Sequence, residues 1–289
     1  MSHSKEAIQA PRKRATRSSR ANPSALHDRW ERLHAGDREP WPDERRVREL
    51  ARANTAVAPW VAGRGGPAPV AAELQAAWGA FHAGQYREGI ERGAELGALG
   101  AQAANKAAAV HSINTRESGA RVLKILESAV ERGERAVEVL PDCANAHYML
   151  ALVLGRLSQR ISVLKALSAG FGGRVRTHLE RALELEPRHA EAHVALGLYH
   201  AEIVGRLGAL AARLTYGASR DGAIEHFRRA LDLAPHSPIV SIEYANGLLV
   251  LDPHGNREQA RALYERAAAC EPLDAMERLD VGRARRGLD

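Results

Sequence analysis

Thirteen histidines are the first residues in this 289-residue chain whose type could do chemistry. His189-Ala-Glu-Ala-His193 straddles an expected helix start, and His178 is placed to approach His193 across a helix stack. A zinc ion would need three or four such ligands converging at about 2.0–2.3 Å. The sequence has neither Cys-x-x-Cys nor His-Glu-x-x-His. His189 falls in a Pro-marked turn, and His147 and His193 recur at one place in two repeats, which points to packing or capping. Gly170-Phe-Gly-Gly173 lacks the Lys-Ser/Thr ending and the preceding strand of a phosphate loop, and reads as a helix break. There is no serine elbow and no carboxylate pair in a plausible cleft. The expectation is therefore a protein with no catalytic residue, no metal and no cofactor. Two acids stand apart. Glu202 and Glu243 each fall in mid-helix among apolar residues, either as polar anchors for a ligand or as ion-pair partners of Arg156, Arg206 or Arg213.

The elements that carry these residues repeat. His178-Leu-Glu-Arg-Ala-Leu-Glu-Leu-Glu-Pro187 returns 48 residues later as His226-Phe-Arg-Arg-Ala-Leu-Asp-Leu-Ala-Pro235. Each is a helix end, with apolar residues at i, i+3 and i+4 and a proline that cannot continue it. After Pro141 and Pro187, Ala144-Asn-Ala-His147 and Ala190-Glu-Ala-His193 open the next helices. Alanine, leucine, arginine and glutamate dominate, and these lose little side-chain freedom in a helix. Alternating β-branched runs are absent, so no sheet is expected. Helices are predicted over 70–83, 87–111 and 116–140, then in the two long units, then over 238–250 and 257–270. A final polar helix over 273–288 caps an otherwise open apolar end.

Leu196-Gly197, Ala223-Ile224, Phe227, Ala230-Leu231 and Pro235 together resemble the tetratricopeptide repeat. Leu150-Ala151, Val175, Leu179, Ala182-Leu183 and Pro187 repeat the pattern, as do Ala260, Tyr264, Ala267 and Pro272. The resemblance covers about residues 70–272. It implies an all-α, right-handed solenoid of antiparallel helix pairs whose concave groove binds peptides or proteins. Two departures matter. The family period is about 34 residues, whereas Ala144–Pro187 and Ala190–Pro235 run 44 and 46. The excess lies at residues 156–173 and 204–220, and such inserts are similar to those of regulator-of-microtubule-dynamics-type and transporter-associated tetratricopeptide proteins. Secondly, the inner faces carry Asn145, Tyr148, Leu152 and Arg156, then Glu191, Val194, Leu198 and Glu202, then Ile239, Ile242, Asn246 and Leu249. That largely apolar surface has no cation cluster to grip a C-terminal carboxylate. An amphipathic helix fits it better, as do the chain's own extra segments folded over it.

The candidate contacts are Tyr148, Leu152, Arg156, Leu198, Glu202, Glu243 and Asn246, in a scaffold that binds a protein or peptide partner. The alternative is a carrier of a small hydrophobic ligand, in a cavity closed by residues 156–173 and 204–220 and lined by Leu164, Leu167, Leu210 and Leu214. Residues 203–214 are expected as core between the two inserts; the other reading is an interfacial membrane helix flanked by arginine.

Upstream, residues 1–22 read as a disordered basic tail, and 23–66 as a helical hairpin with a flexible Gly/Pro linker ahead of the solenoid at 67–289. Trp30-Glu-Arg-Leu-His-Ala-Gly-Asp37 resembles Trp78-Gly-Ala-Phe-His-Ala-Gly-Gln85, again at an offset of 48. Residues 1–70 carry 14 Lys/Arg and 8 Asp/Glu, whereas residues 71–289 carry 27 of each. A neutral solenoid argues against nucleic acid, which needs a continuous basic face. No apolar run reaches the roughly 20 residues of a membrane span. Cys143 and Cys270 are too few for a disulfide framework and suit a reducing compartment. The expected location is cytoplasmic, with the membrane reached only peripherally.

Overall fold

The computed structural model describes residues 23–161 and 170–289. Among these, every regular element is a helix. The basic tail lies outside the described residues, as do Val163, Leu164 and Leu167.

The first three helices are α1 (Pro23–Leu33), α2 (Glu44–Ala53) and α3 (Val57–Gly63). Asp43 caps α2 as its sequence predicts: the carboxylate accepts from the Arg46 amide at 2.7 Å. The Gly/Pro stretch that follows is an ordered turn, not a flexible linker. Gly65 and Gly66 have φ of 85° and 98°. The Gly66 amide donates to the Val61 carbonyl and the Gly65 amide to that of Ala62, the paired bonds of a Schellman helix end. One residue later Pro67 opens α4 (Pro67–His82), where its missing amide costs nothing.

The segment expected as one helix over 87–111 is two, α5 (Tyr86–Glu95) and α6 (Gly97–Asn114). Gly97 takes a φ of 57°, which ends one helix and starts the next. The two then pack closely, because a Cβ on Gly93 would lie 2.7 Å from the Gly100 carbonyl oxygen. The alanine- and glycine-rich composition here reports on that close approach.

Thereafter the array is regular: α7 (Gly119–Val139), α8 (Ala144–Ser158), α9 (Phe171–Leu185), α10 (Ala190–Leu207), α11 (Ala209–Tyr216), α12 (Arg220–Leu233), α13 (Pro238–Leu251), α14 (Arg257–Ala268) and α15 (Ala275–Arg286). The packed pairs are α6/α7, α8/α9, α10/α12 and α13/α14. Small residues set the spacing. Phe227 of α12 is fully buried between Gly197 of α10 and Gly247 of α13, and a Cβ on Gly197 would lie 2.7 Å from its ring. Burying such a side chain is worth roughly 1.5–3 kcal/mol, so these glycines are part of the core. α15 covers the last pair through Ala284. It also reaches the start of the array: Met276 packs into the cluster of Trp30, Trp78 and Phe81, and Arg32 pairs with Glu277 at 2.6 Å.

The second insert differs from its expectation. Gly208 (φ 78°) turns the chain between α10 and α11. Ala212 and Ala218 then face the core, while Leu207, Leu210 and Leu214 are 47%, 73% and 78% exposed. Small residues occupy the buried side, so the leucines have no interior to enter. Residues 203–214 are thus core only in part.

Candidate functional site

The groove is occupied at one end by the chain itself. The turn after α1 carries His34, Gly36, Asp37 and Glu39 onto the solenoid's inner helices. The Glu191 amide at the start of α10 donates to the Gly36 carbonyl at 3.0 Å. The Asn145 amide group donates to the Asp37 carbonyl at 2.9 Å and to Glu39 at 2.7 Å. Two of the inner-face positions named from sequence, Asn145 and Glu191, are therefore consumed internally.

The pins of this turn are ionic and buried. Lys106 of α6 is 3% exposed and donates to Asp37 at 2.5 Å and Glu191 at 3.1 Å. Glu191 also accepts from the Tyr148 hydroxyl at 2.8 Å. A second line runs Asp37–His34–His82–Asp274, with separations of 2.8, 3.1 and 2.7 Å. Three consecutive hydrogen bonds need three protons, one more than two neutral imidazoles supply. The line joins the N-terminal turn, α4 and the residue that caps α15. It also explains the repeated Trp-x-x-x-His-Ala-Gly: the two copies face each other, with Trp30 and Trp78 edge to face at 5.6 Å.

Burial sets the protonation of this cluster. It would raise the Asp37 carboxyl, but His34 and Lys106 outweigh it and hold the group well below its ordinary value. Burial would likewise lower Lys106, but Asp37 and Glu191 reverse the direction and raise it. Glu39, desolvated and beside Asp37, is pushed up to about 8. Desolvation takes His82 and His189 down to about 4. Asp280 of α15 rises to about 7, again chiefly from burial.

Beyond the plug the groove is open. A cavity of about 1170 Å³ lies between α8, α9, α10 and α13 and reaches Arg283 of α15. All seven residues chosen from sequence line it: Tyr148, Leu152, Arg156, Leu198, Glu202, Glu243 and Asn246. Its polar edges are Glu202 with Arg206 at 2.9 Å and Glu243 with Arg283 at 3.2 Å. The Arg156 Nε is buried with no hydrogen-bond partner among the described residues. Of the leucines expected around a ligand cavity, Leu210 and Leu214 do not line this one and instead face outward.

The sequence matches the family described as regulator of microtubule dynamics protein 1-3 over residues 100–281, more than half of the chain. The chain belongs to that family. Among solved structures it is similar to a tetratricopeptide-repeat protein from Thermus thermophilus. The two share 17% identity and a TM-score of 0.53, over 75% of this chain and 99% of that one. The similarity establishes the tetratricopeptide-like helical fold. No curated protein matches the sequence.

In this member of the regulator of microtubule dynamics family, four histidines join the two helices of a pair. His147 and His193 do not cap their helices. Each turns Nε2 to the preceding proline carbonyl, Pro141 at 2.9 Å and Pro187 at 3.1 Å. Each then shares a proton through Nδ1 with the histidine of the second helix, His178 at 3.1 Å and His226 at 2.9 Å. His178 thus meets His147, not His193. His189 is the true cap of α10, accepting from the Ala192 amide at 3.0 Å. No cluster of three or more metal-ligating side chains occurs among the described residues.

Sequence reasoning missed Lys106, Asp37, His34, His82 and Asp274. The signals were present. Lys106 is the one lysine or arginine, and no acid accompanies it, across residues 96–115. A lone charge in an alanine-rich helix has to find a buried partner.

Proposed function

We propose that this protein is a non-enzymatic interaction scaffold, located in the cytoplasm, that receives the apolar face of an amphipathic partner helix in its open half-groove. The observation that carries the reading is the cavity of about 1170 Å³ lined by leucines and bordered by the Glu202–Arg206 and Glu243–Arg283 pairs. An apolar floor with charged edges is the complement of an amphipathic helix. The tetratricopeptide-like fold and the family membership support a scaffold. The even charge of residues 71–289 disfavours nucleic acid as the partner. No helix among the described residues is long and apolar enough to cross a membrane.

The cavity, larger than the roughly 300–1,000 Å³ of most ligand pockets, also has room for a small hydrophobic ligand, and a carrier is the second reading. One experiment separates the two. A photo-reactive phenylalanine replaces Glu202 at the groove edge, and cross-linked products are weighed after irradiation in cells. A polypeptide adduct lost in the Leu152→Ser, Leu198→Ser variant supports the scaffold. An adduct of small-molecule mass alone overturns it in favour of the carrier. Tyr148 is unsuited to this test, because it is 5% exposed and packs with Met149 and Leu179 in the core.

A further inference from the structure

We propose that α11 and the turns beside it form a docking face for an anionic lipid bilayer. Leu210 and Leu214, at i and i+4 on α11, stand 73% and 78% exposed, and Leu207 at the end of α10 is 47% exposed, while Ala212 is fully buried. Apart from Ala212, every residue from 205 to 215 is exposed. The stripe itself carries no acid. Residues 203–220 contain no acid and carry Arg206, Arg213 and Arg220. The start of α9 adds Arg174 and Arg176 and carries no acid up to Leu179.

The two stretches adjoin. The Arg176 guanidinium donates to the Tyr216 carbonyl at 2.8 Å, and a Cβ on Gly172 would lie 3.8 Å from the Tyr216 ring. Glu202, Glu180 and Glu134, outside the two stretches, neutralise Arg206, Arg176 and Arg174. Arg213, between Leu210 and Leu214, forms no ion pair among the described residues.

An apolar stripe with arginines and no acid in its own segment is the pattern of a helix lying in a membrane interface. The leucines enter the boundary between headgroups and acyl chains, and the arginines meet lipid phosphates. A protein occupant suits the face less well. Three leucines expose a few hundred Å², against roughly 800 Å² per partner in a standard interface. Leu207 and Arg206 also border the groove cavity, whereas Leu210 and Leu214 do not, so substituting those two leaves the groove lining untouched.

The test is co-sedimentation of the full chain with vesicles of phosphatidylcholine alone, or of phosphatidylcholine mixed with phosphatidylglycerol. It compares the parent protein with a Leu210→Ser, Leu214→Ser variant. Both leucines are exposed, so the variant keeps its fold, which the unfolding midpoint checks. The expected result is partition onto the mixed vesicles, weakened about tenfold or more by the substitutions and reduced by salt. Undiminished binding of the variant overturns the proposal and assigns attraction to the basic residues 1–22. Equal binding to neutral vesicles overturns the role of charge. A parent protein that ignores vesicles but dimerises, with the variant monomeric, overturns it in favour of a second copy.

Discussion

Replacing Lys106 by methionine isolates the pin that holds the N-terminal turn in the groove. The ammonium is 3% exposed and bonds Asp37 and Glu191, both of which are themselves buried. Methionine fills nearly the same volume, so packing changes little, but two carboxylates lose their cation. Removing one partner of a buried ion pair costs about 3–5 kcal/mol, because the remaining charge stays desolvated. For a chain of this size each kcal/mol moves the unfolding midpoint by roughly 2–4 °C, so a fall of about 6–20 °C is expected. Lys106 is raised above its ordinary value by those carboxylates and stays charged across the neutral range. The loss is therefore the same at pH 6 as at pH 8. The assay is urea unfolding combined with limited proteolysis of the turn between α1 and α2. In the Lys106→Met, Glu191→Gln variant one stranded charge is neutralised, so the combined loss falls short of the sum by about 1–3 kcal/mol. A Lys106→Met protein that loses less than about 1 kcal/mol, or whose turn resists protease as before, refutes the idea that this ion cluster seats the plug.

Stability is expected to peak near pH 6.5. His82, His189 and His226 are depressed to about 4, so the unfolded chain binds their protons first and stability falls as pH drops from about 6.5 towards 4. Glu39 and Asp280 are raised to about 8 and about 7, so the folded state keeps protons the unfolded chain has lost, and stability falls as pH climbs from the ordinary carboxyl range up to these values. Glu39→Gln flattens the alkaline limb, gaining more at pH 9 than at pH 5.5 in paired denaturation curves; an equal gain at both contradicts the assignment. Gly247→Ala pushes a methyl group into the Phe227 ring and lowers stability by about 1–3 kcal/mol, while Gly119→Ala, with nothing near its Cβ, is neutral or mildly stabilising. Leu152→Ser with Leu198→Ser leaves the helical circular dichroism signal intact and abolishes the cross-link from position 202.

Much of the fold is legible in the chain because its signals are local. A proline ends a helix wherever it falls, and an Asp three residues ahead of a free amide caps one. Pro141, Pro187, Pro235 and Asp43 therefore give the boundaries of their helices directly. The small residues at Ala182, Gly197 and Ala230 mark where helices approach, and the resemblance they carry agrees with the fold. The same local reasoning failed at Gly97, since a helix-compatible composition does not reveal a positive φ that neighbouring packing imposes. It failed again at residues 203–214, where an apolar run pointed to core but did not show which side would be covered.

The groove divides along the same line. That Tyr148, Leu152, Arg156, Leu198, Glu202, Glu243 and Asn246 share one cavity follows from helical spacing and the order of the pairs, both written in the sequence. That the neighbouring half is filled by residues 34–39 does not. Asp37 and Lys106 are 69 residues apart, and His82 and Asp274 are 192 apart. A charge declares its need for a partner in the sequence, but it does not say which one. Low dielectric makes that need absolute only once the surrounding helices have excluded water, and the excluding is done by tertiary packing. The repeat determined a solenoid; the closing of its ends onto each other decided where Lys106 would be buried, and so which part of the groove is left free.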